Sequence, residues 1–148
     1  MQRELYVGID ESNHGRFPEI FVGVFSQERN DVIHSQDFLE KTRKGISLNR
    51  ILMKRQYSFL TIVKDSFMGK SKGETMGRIY STLLEEMIVI PEDSRLHLYI
   101  DGEVENRFKN IIKEIIAKDH NLFERNIEID SGSHYDKTIP LVNMADIV

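Results

Sequence analysis

The chain has 148 residues, the length of one domain, and its 40% hydrophobic, 9% aromatic and 30% charged residues exclude wholesale disorder. Eight Phe and five Tyr, with many Ile, Leu and Val, supply enough apolar surface for a core without a staple. No cysteine occurs, which excludes disulfides, cysteine-held zinc, iron-sulfur clusters and thiol nucleophiles. The apolar stretch before Asp10 is too short for a signal-peptide core, and the run Met87 to Ile90 is too short to span a bilayer. A soluble, cytoplasmic protein with no membrane partner is expected.

The formal charge of -4 hides an asymmetry. Residues 41–78 hold ten Lys or Arg against Asp65 and Glu74, while the rest of the chain holds ten bases against twenty-two acids. This segment, with Lys41, Arg43, Lys44, Lys54 and Arg55, is a candidate phosphate-facing surface. The plainer reading is a solvated helix or loop that balances acids elsewhere.

Leu5, Val7 and Ile9 alternate with Tyr6, Gly8 and Asp10, which predicts a strand ending at Asp10, with a turn over Ser12, Asn13, His14 and Gly15. Glu19 to Phe25 is apolar at nearly every position and predicts a strand covered on both faces, paired in a hairpin with the first. Val32 to His34 could add a short strand, and Tyr57 to Val63 a stronger one after a basic, partly helical connection. Met76, Ile79, Tyr80, Leu83, Leu84 and Met87 repeat at helical spacing, with Pro91 as the stop. Leu96, Leu98 and Ile100 alternate with His97, Tyr99 and Asp101 as another strand ending in aspartate. Val104, Phe108, Ile111, Ile112, Ile115 and Ile116 mark a second helix. Asn126 to Asp130 reads as the last strand, Ser131 to Thr138 as a loop, and Pro140 opens a final helix that the sequence leaves short at Val148. No repeat, low-complexity tract or Gly/Ser linker divides the chain, so one domain over 1–148 is expected, its last helix truncated.

Two strands thus end alike, with aliphatic residues on one face and Asp10 or Asp101 in phase on the other. If they are parallel neighbours, the carboxylates emerge together at the strand C-terminal ends, where open α/β sheets place their sites. Glu11 follows Asp10 directly, and Asp146 lies on a helix able to pack against the same edge. Clustered carboxylates repel unless a proton or cation compensates. Hard oxygen ligands suit Mg²⁺ or Mn²⁺, and two such ions about 3.5 to 4 Å apart can clamp the attacking and leaving oxygens of a phosphodiester. Each acid taken alone is better read as a strand end or helix cap. The in-phase pair with Glu11 favours a site.

The segments V-G-I-D-E at Val7 to Glu11, L-Y-I-D-G at Leu98 to Gly102 and P-L-V-N-M-A-D-I from Pro140 resemble the ribonuclease H-like superfamily. Type 2 ribonucleases H carry G-I-D-E, a second strand ending in Asp, and a P-x-V-x-x-A-S-I helix. An uncharacterised family of the same fold, with Asp-Glu-Ser near its start and Leu-Ala-Asp near its end, is closer still. The resemblance implies an α/β fold, with a mixed central sheet (antiparallel first strands, then parallel strands) flanked by helices. It also implies metal-dependent phosphodiester hydrolysis at Asp10, Glu11 and Asp101. Type 2 enzymes follow D-E with A-G-R-G, which reads the RNA 2'-hydroxyl; here Ser12, Asn13, His14, Gly15 and Arg16 stand instead, so hybrid specificity does not carry over. They also carry Ser at the Asp146 position and a fourth carboxylate roughly two turns further on. Asp146 matches the uncharacterised family and is taken as the fourth ligand.

Gly69, Lys70 and Ser71 resemble the end of a phosphate-binding loop, but Lys64 stands where that motif needs Gly, so they read as a loop before a helix. The histidines lack H-E-x-x-H spacing, which argues against zinc hydrolysis. His14 and His134 lie in loops that would border the carboxylates, and His97 shares a face with Asp101 but reads as a packed, hydrogen-bonded strand residue. Tyr57 and Phe59 could stack on bases, although strand aromatics are more often core. Paired acids also run glycoside hydrolysis, but no sugar-binding aromatic platform is evident. Two readings stand: a nuclease cutting RNA, DNA or a hybrid with two Mg²⁺ or Mn²⁺ ions, or a ribonuclease H-like scaffold that binds nucleic acid or a protein without catalysis.

Overall fold

A computed structural model describes residues 3–12, 19–34, 55–62, 71–87 and 90–147. The period-two alternation at the N-terminus forms β1 (Glu4–Ser12), which pairs antiparallel with β2 (Glu19–Ser26). β1 runs two residues past Asp10, because Glu11 and Ser12 continue the ladder opposite Phe21 and Ile20. β2 in turn pairs antiparallel with β3 (Gln56–Ile62). On its other side β1 pairs parallel with β4 (Arg95–Asp101), and β4 pairs parallel with β5 (Ile127–Gly132). The sheet order is β3-β2-β1-β4-β5, antiparallel first and then parallel.

Among the described residues, four α-helices follow β3: α1 (Lys72–Met87), α2 (Asn106–His120), the single turn α3 (Tyr135–Thr138) and α4 (Pro140–Ile147). Ser71 caps α1, its Oγ accepting from the Glu74 N–H at 3.2 Å, which gives this residue a structural role. α2 ends on Asn121 in the left-handed conformation (φ 56°), whose N–H closes on the Ala117 carbonyl. Pro140 occupies the first turn of α4, where its missing N–H costs nothing.

Strand alternation divides the core between the two sheet faces. Leu5, Val7 and Ile9 of β1, Leu96, Leu98 and Ile100 of β4 and Ile127 of β5 are buried with the apolar stripes of α1 and α2. The two helices touch closely: a Cβ on Gly77 would lie 2.6 Å from Ile115 Cδ1, and Ser81 Oγ donates to Asp119 at 2.7 Å. The opposite face buries Tyr6, Val22 and Val24 under Leu141, Val142, Met144 and Ala145 of α4. α4 lies directly on β1 at Gly8, where a Cβ would sit 2.6 Å from the Leu141 carbonyl carbon. Each fully buried Leu or Val contributes about 1.5–3 kcal/mol of burial, and this close seat is what fixes α4 against β1.

Three local expectations fail. Val32 to His34 is not a strand: Arg29–Val32 form a 3-10 turn, held by Ser26 Oγ donating to the buried Asp31 at 2.5 Å and by Arg55 on the same carboxylate. Ser131 and Gly132 extend β5, and Tyr135–Thr138 make a helical turn where a loop was expected. Tyr57 and Phe59 are exposed, not core. The basic connection at 41–54 lies outside the described residues.

Candidate active site

Asp10 and Asp101 leave adjacent parallel strands in neighbouring register, Ile9 pairing with Ile100. Both follow aliphatic residues that face α1 and α2, so alternation turns the two aspartates to the α4 face. There Asp10 is half-buried and hydrogen-bonded to Asp146 of α4, with the charge of Asp101 also acting on it. Burial first, then the bond to Asp146 and the charges of Asp146 and Asp101, push the Asp10 carboxyl up to about 8, while the Glu11 N–H opposes the rise.

Asp101 is fixed from the other side. Its Oδ1 accepts the Asp136 N–H at 3.2 Å, and the Asp136 carbonyl accepts from Nδ2 of the fully buried Asn143 at 2.9 Å. α3 thereby links the carboxylate at the end of β4 to the helix that carries Asp146. His134 opens α3 in the left-handed conformation (φ 67°), with an exposed side chain two residues from the Asp136 contact.

Glu11 does not join Asp10, because it is the next residue on β1 and turns to the α1 face. There it is hydrogen-bonded to Glu19 of β2, with Lys72 and the buried Tyr80 near it. Burial, then that bond and the Glu19 charge, push Glu11 up to about 8, with Lys72 opposing. Two carboxyl pairs thus sit at the same end of β1 on opposite sheet faces. Among the described residues no three His, Asp or Glu side chains close on one point as a ready-made metal centre.

Of the other expected residues, Ser12 ends β1, and Arg55 is bound to Asp31 by two 2.8 Å contacts, Nε to Oδ2 and Nη2 to Oδ1. Asn13, His14, Arg16, Lys41, Arg43, Lys44 and Lys54 lie outside the described residues. His97 is packed as expected, stacked on Tyr6 and bonded to Glu4 at 2.5 Å and Glu128 at 3.1 Å. Glu19, Asp136 and Asn143 were missed. The only sequence signal for Asn143 is its place inside P-L-V-N-M-A-D.

Solved structures share this arrangement of sheet and helices. Ribonuclease HII of Archaeoglobus fulgidus, in its complex with PCNA, superposes with a TM-score of 0.57 at 19% identity, over 96% of this chain and 68% of that one. The fold is ribonuclease H-like. Ribonuclease H2 of Pyrococcus horikoshii matches equally well, with a TM-score of 0.57 at 16% identity over 97% of this chain and 69% of that one. No protein-family model matches the ribonuclease H-like chain, and no curated protein matches its sequence. At such identities the likeness establishes the fold alone, so the chemistry has to come from the site. No helix among the described residues is long and apolar enough to cross a membrane.

Proposed function

We propose that residues 1–148 form one cytoplasmic ribonuclease H-like domain that hydrolyses phosphodiester bonds of RNA, DNA or a hybrid in the presence of Mg²⁺ or Mn²⁺. Asp10, Asp101 and Asp146 are its working carboxylates, and Glu11 with Glu19 forms a second acidic pair at the same end of β1. The observation that carries this reading is the convergence of Asp10 with Asp146 and the charge of Asp101 at the C-terminal ends of two parallel strands. The donor set fits a hard divalent cation in kind, since it consists of carboxylate oxygens crowded enough to push the Asp10 carboxyl up to about 8. A pair of such ions, when bound, supplies Lewis-acid stabilisation of the attacking and leaving oxygens of a phosphodiester. The protein's own part is to place the carboxylates: Asp10 through the β1–β4 register, Asp146 through the seat of α4 on Gly8, and Asp101 through the Asp136 N–H.

A binding-only scaffold is the second reading, because a shared fold does not by itself fix the chemistry. Cleavage of end-labelled single-stranded RNA, single-stranded DNA and hybrid oligonucleotides in Mn²⁺ separates the two. The nuclease reading expects cutting of at least one substrate, arrested by EDTA and reduced about 10²- to 10³-fold in Asp10→Asn and Asp101→Asn. Folded protein that cuts none of them would establish the scaffold reading.

A further inference from the structure

Tyr57 and Phe59 stand on β3 with 49% and 63% of their surfaces exposed, although large strand aromatics ordinarily supply core. Ser58 between them is buried and donates to the Leu83 carbonyl of α1 at 2.9 Å. The two rings therefore project from the opposite face of the sheet, the face that carries Asp10 and Asp101. The register narrows the relation further. Phe59 pairs with Val22, and Val22 pairs with Asp10, so Phe59 and Asp10 occupy one cross-strand row. At about 4.8 Å per strand their backbones are about 10 Å apart. α4 covers Val22 and Val24, the β2 residues that pair with Phe59 and Tyr57. The chain that leads into β3 holds Lys41, Arg43, Lys44, Arg50 and Lys54 with no acid among residues 41–54.

We propose that Tyr57 and Phe59 are a stacking platform for unpaired bases of a single-stranded nucleic acid, which they hold beside the Asp10 carboxylates. The proposal rests on the nuclease reading for the purpose it assigns to the rings. Two residues apart on a strand, the rings are about 6.6 Å from each other, twice the roughly 3.4 Å rise per base of a stacked strand. Bases using both rings must be splayed out of their own stack, and bases inside a duplex have their faces covered. Such stacking is sequence-tolerant, because every base presents a π face. A protein partner would also bury exposed rings, but the basic, acid-free sequence of residues 41–54 matches a polyanion.

The chain contains no tryptophan, so Phe59→Trp places a single tryptophan on the proposed platform, which can be excited selectively over the five tyrosines. In EDTA, titration with a short oligothymidylate or oligouridylate is expected to quench its emission saturably, while a duplex of equal length is not. In the otherwise native chain, Tyr57→Ala and Phe59→Ala are expected to weaken single-strand binding by roughly 5- to 150-fold for each ring removed. Duplex binding and the melting temperature stay unchanged, since neither ring is buried. Unquenched tryptophan at saturating oligonucleotide, or equal losses for single strand and duplex, would overturn the platform. Cleavage by the native chain with binding indifferent to both rings would overturn it while sparing the nuclease reading. Ring-dependent binding without any cleavage would support the platform and remove the nuclease reading.

Discussion

Asp10 of β1 and Asp146 of α4 meet in a carboxyl-carboxyl hydrogen bond where two parallel strands and a helix come together, and burial with this contact pushes the Asp10 carboxyl up to about 8. Electrostatics makes that arrangement sensitive to pH and to any cation that offsets the crowded charge.

Asp10 rises from 3.8, and Glu11 from 4.5, to about 8 in the fold. Between the unfolded and folded values the native chain binds more protons than the unfolded one, so metal-free stability falls as pH rises. The contribution is complete below about pH 4 and is lost as pH passes through 8. Thermal melts in EDTA should therefore show a lower melting temperature at pH 8.5 than at pH 6, and added Mn²⁺ should narrow the gap. A flat profile would mean that neither pair holds its proton.

Asp10→Asn keeps a donor toward Asp146 at every pH and removes the like charge. The metal-free variant should melt at or above the native temperature at pH 8, while losing most of the stabilisation that Mn²⁺ gives the native chain. Marked destabilisation without metal would assign Asp10 a structural role instead.

Gly8 is the point where the site depends on packing. A methyl there meets the Leu141 carbonyl carbon and the Val142 nitrogen, at 2.6 and 2.7 Å, which are backbone atoms that cannot rotate away. Gly8→Ala should cost about 1–3 kcal/mol in urea denaturation and displace Asp146, reducing cleavage more than stability alone explains. Gly23→Ala is the control, because its nearest neighbour is the flexible end of Met87 at 3.0 Å.

The period of two in Leu5, Val7 and Ile9 and in Leu96, Leu98 and Ile100 made the paired strands legible, and with them the shared face of Asp10 and Asp101. The same alternation sends Glu11 to the other face, a consequence that adjacency in sequence conceals. Glu19 was invisible because its bond to Glu11 exists only through β1–β2 pairing. Val32 looked like strand because β-branched residues favour strands, yet the Ser26–Asp31–Arg55 contacts hold a tight turn there. Tyr57 and Phe59 carry the composition of a core strand, and only the sheet order reveals β3 as an edge among the described residues.

Arg55 illustrates the limit of reading charge alone. Its guanidinium neutralises Asp31, which is 6% exposed. Arg55→Ala leaves that carboxylate buried without its cation and should cost about 3–5 kcal/mol of stability by urea denaturation. A loss of affinity for nucleic acid with native stability would instead return Arg55 to the phosphate-facing set.

The most direct test is a crystal of the native chain soaked in Mn²⁺ and measured for anomalous scattering at the manganese edge. The account predicts at least one peak coordinated by Asp10 and Asp146 at the Asp101 end of β4, with the carboxyl-carboxyl hydrogen bond gone. Saturating Mn²⁺ with no peak there, and the Asp10–Asp146 bond intact, would contradict it.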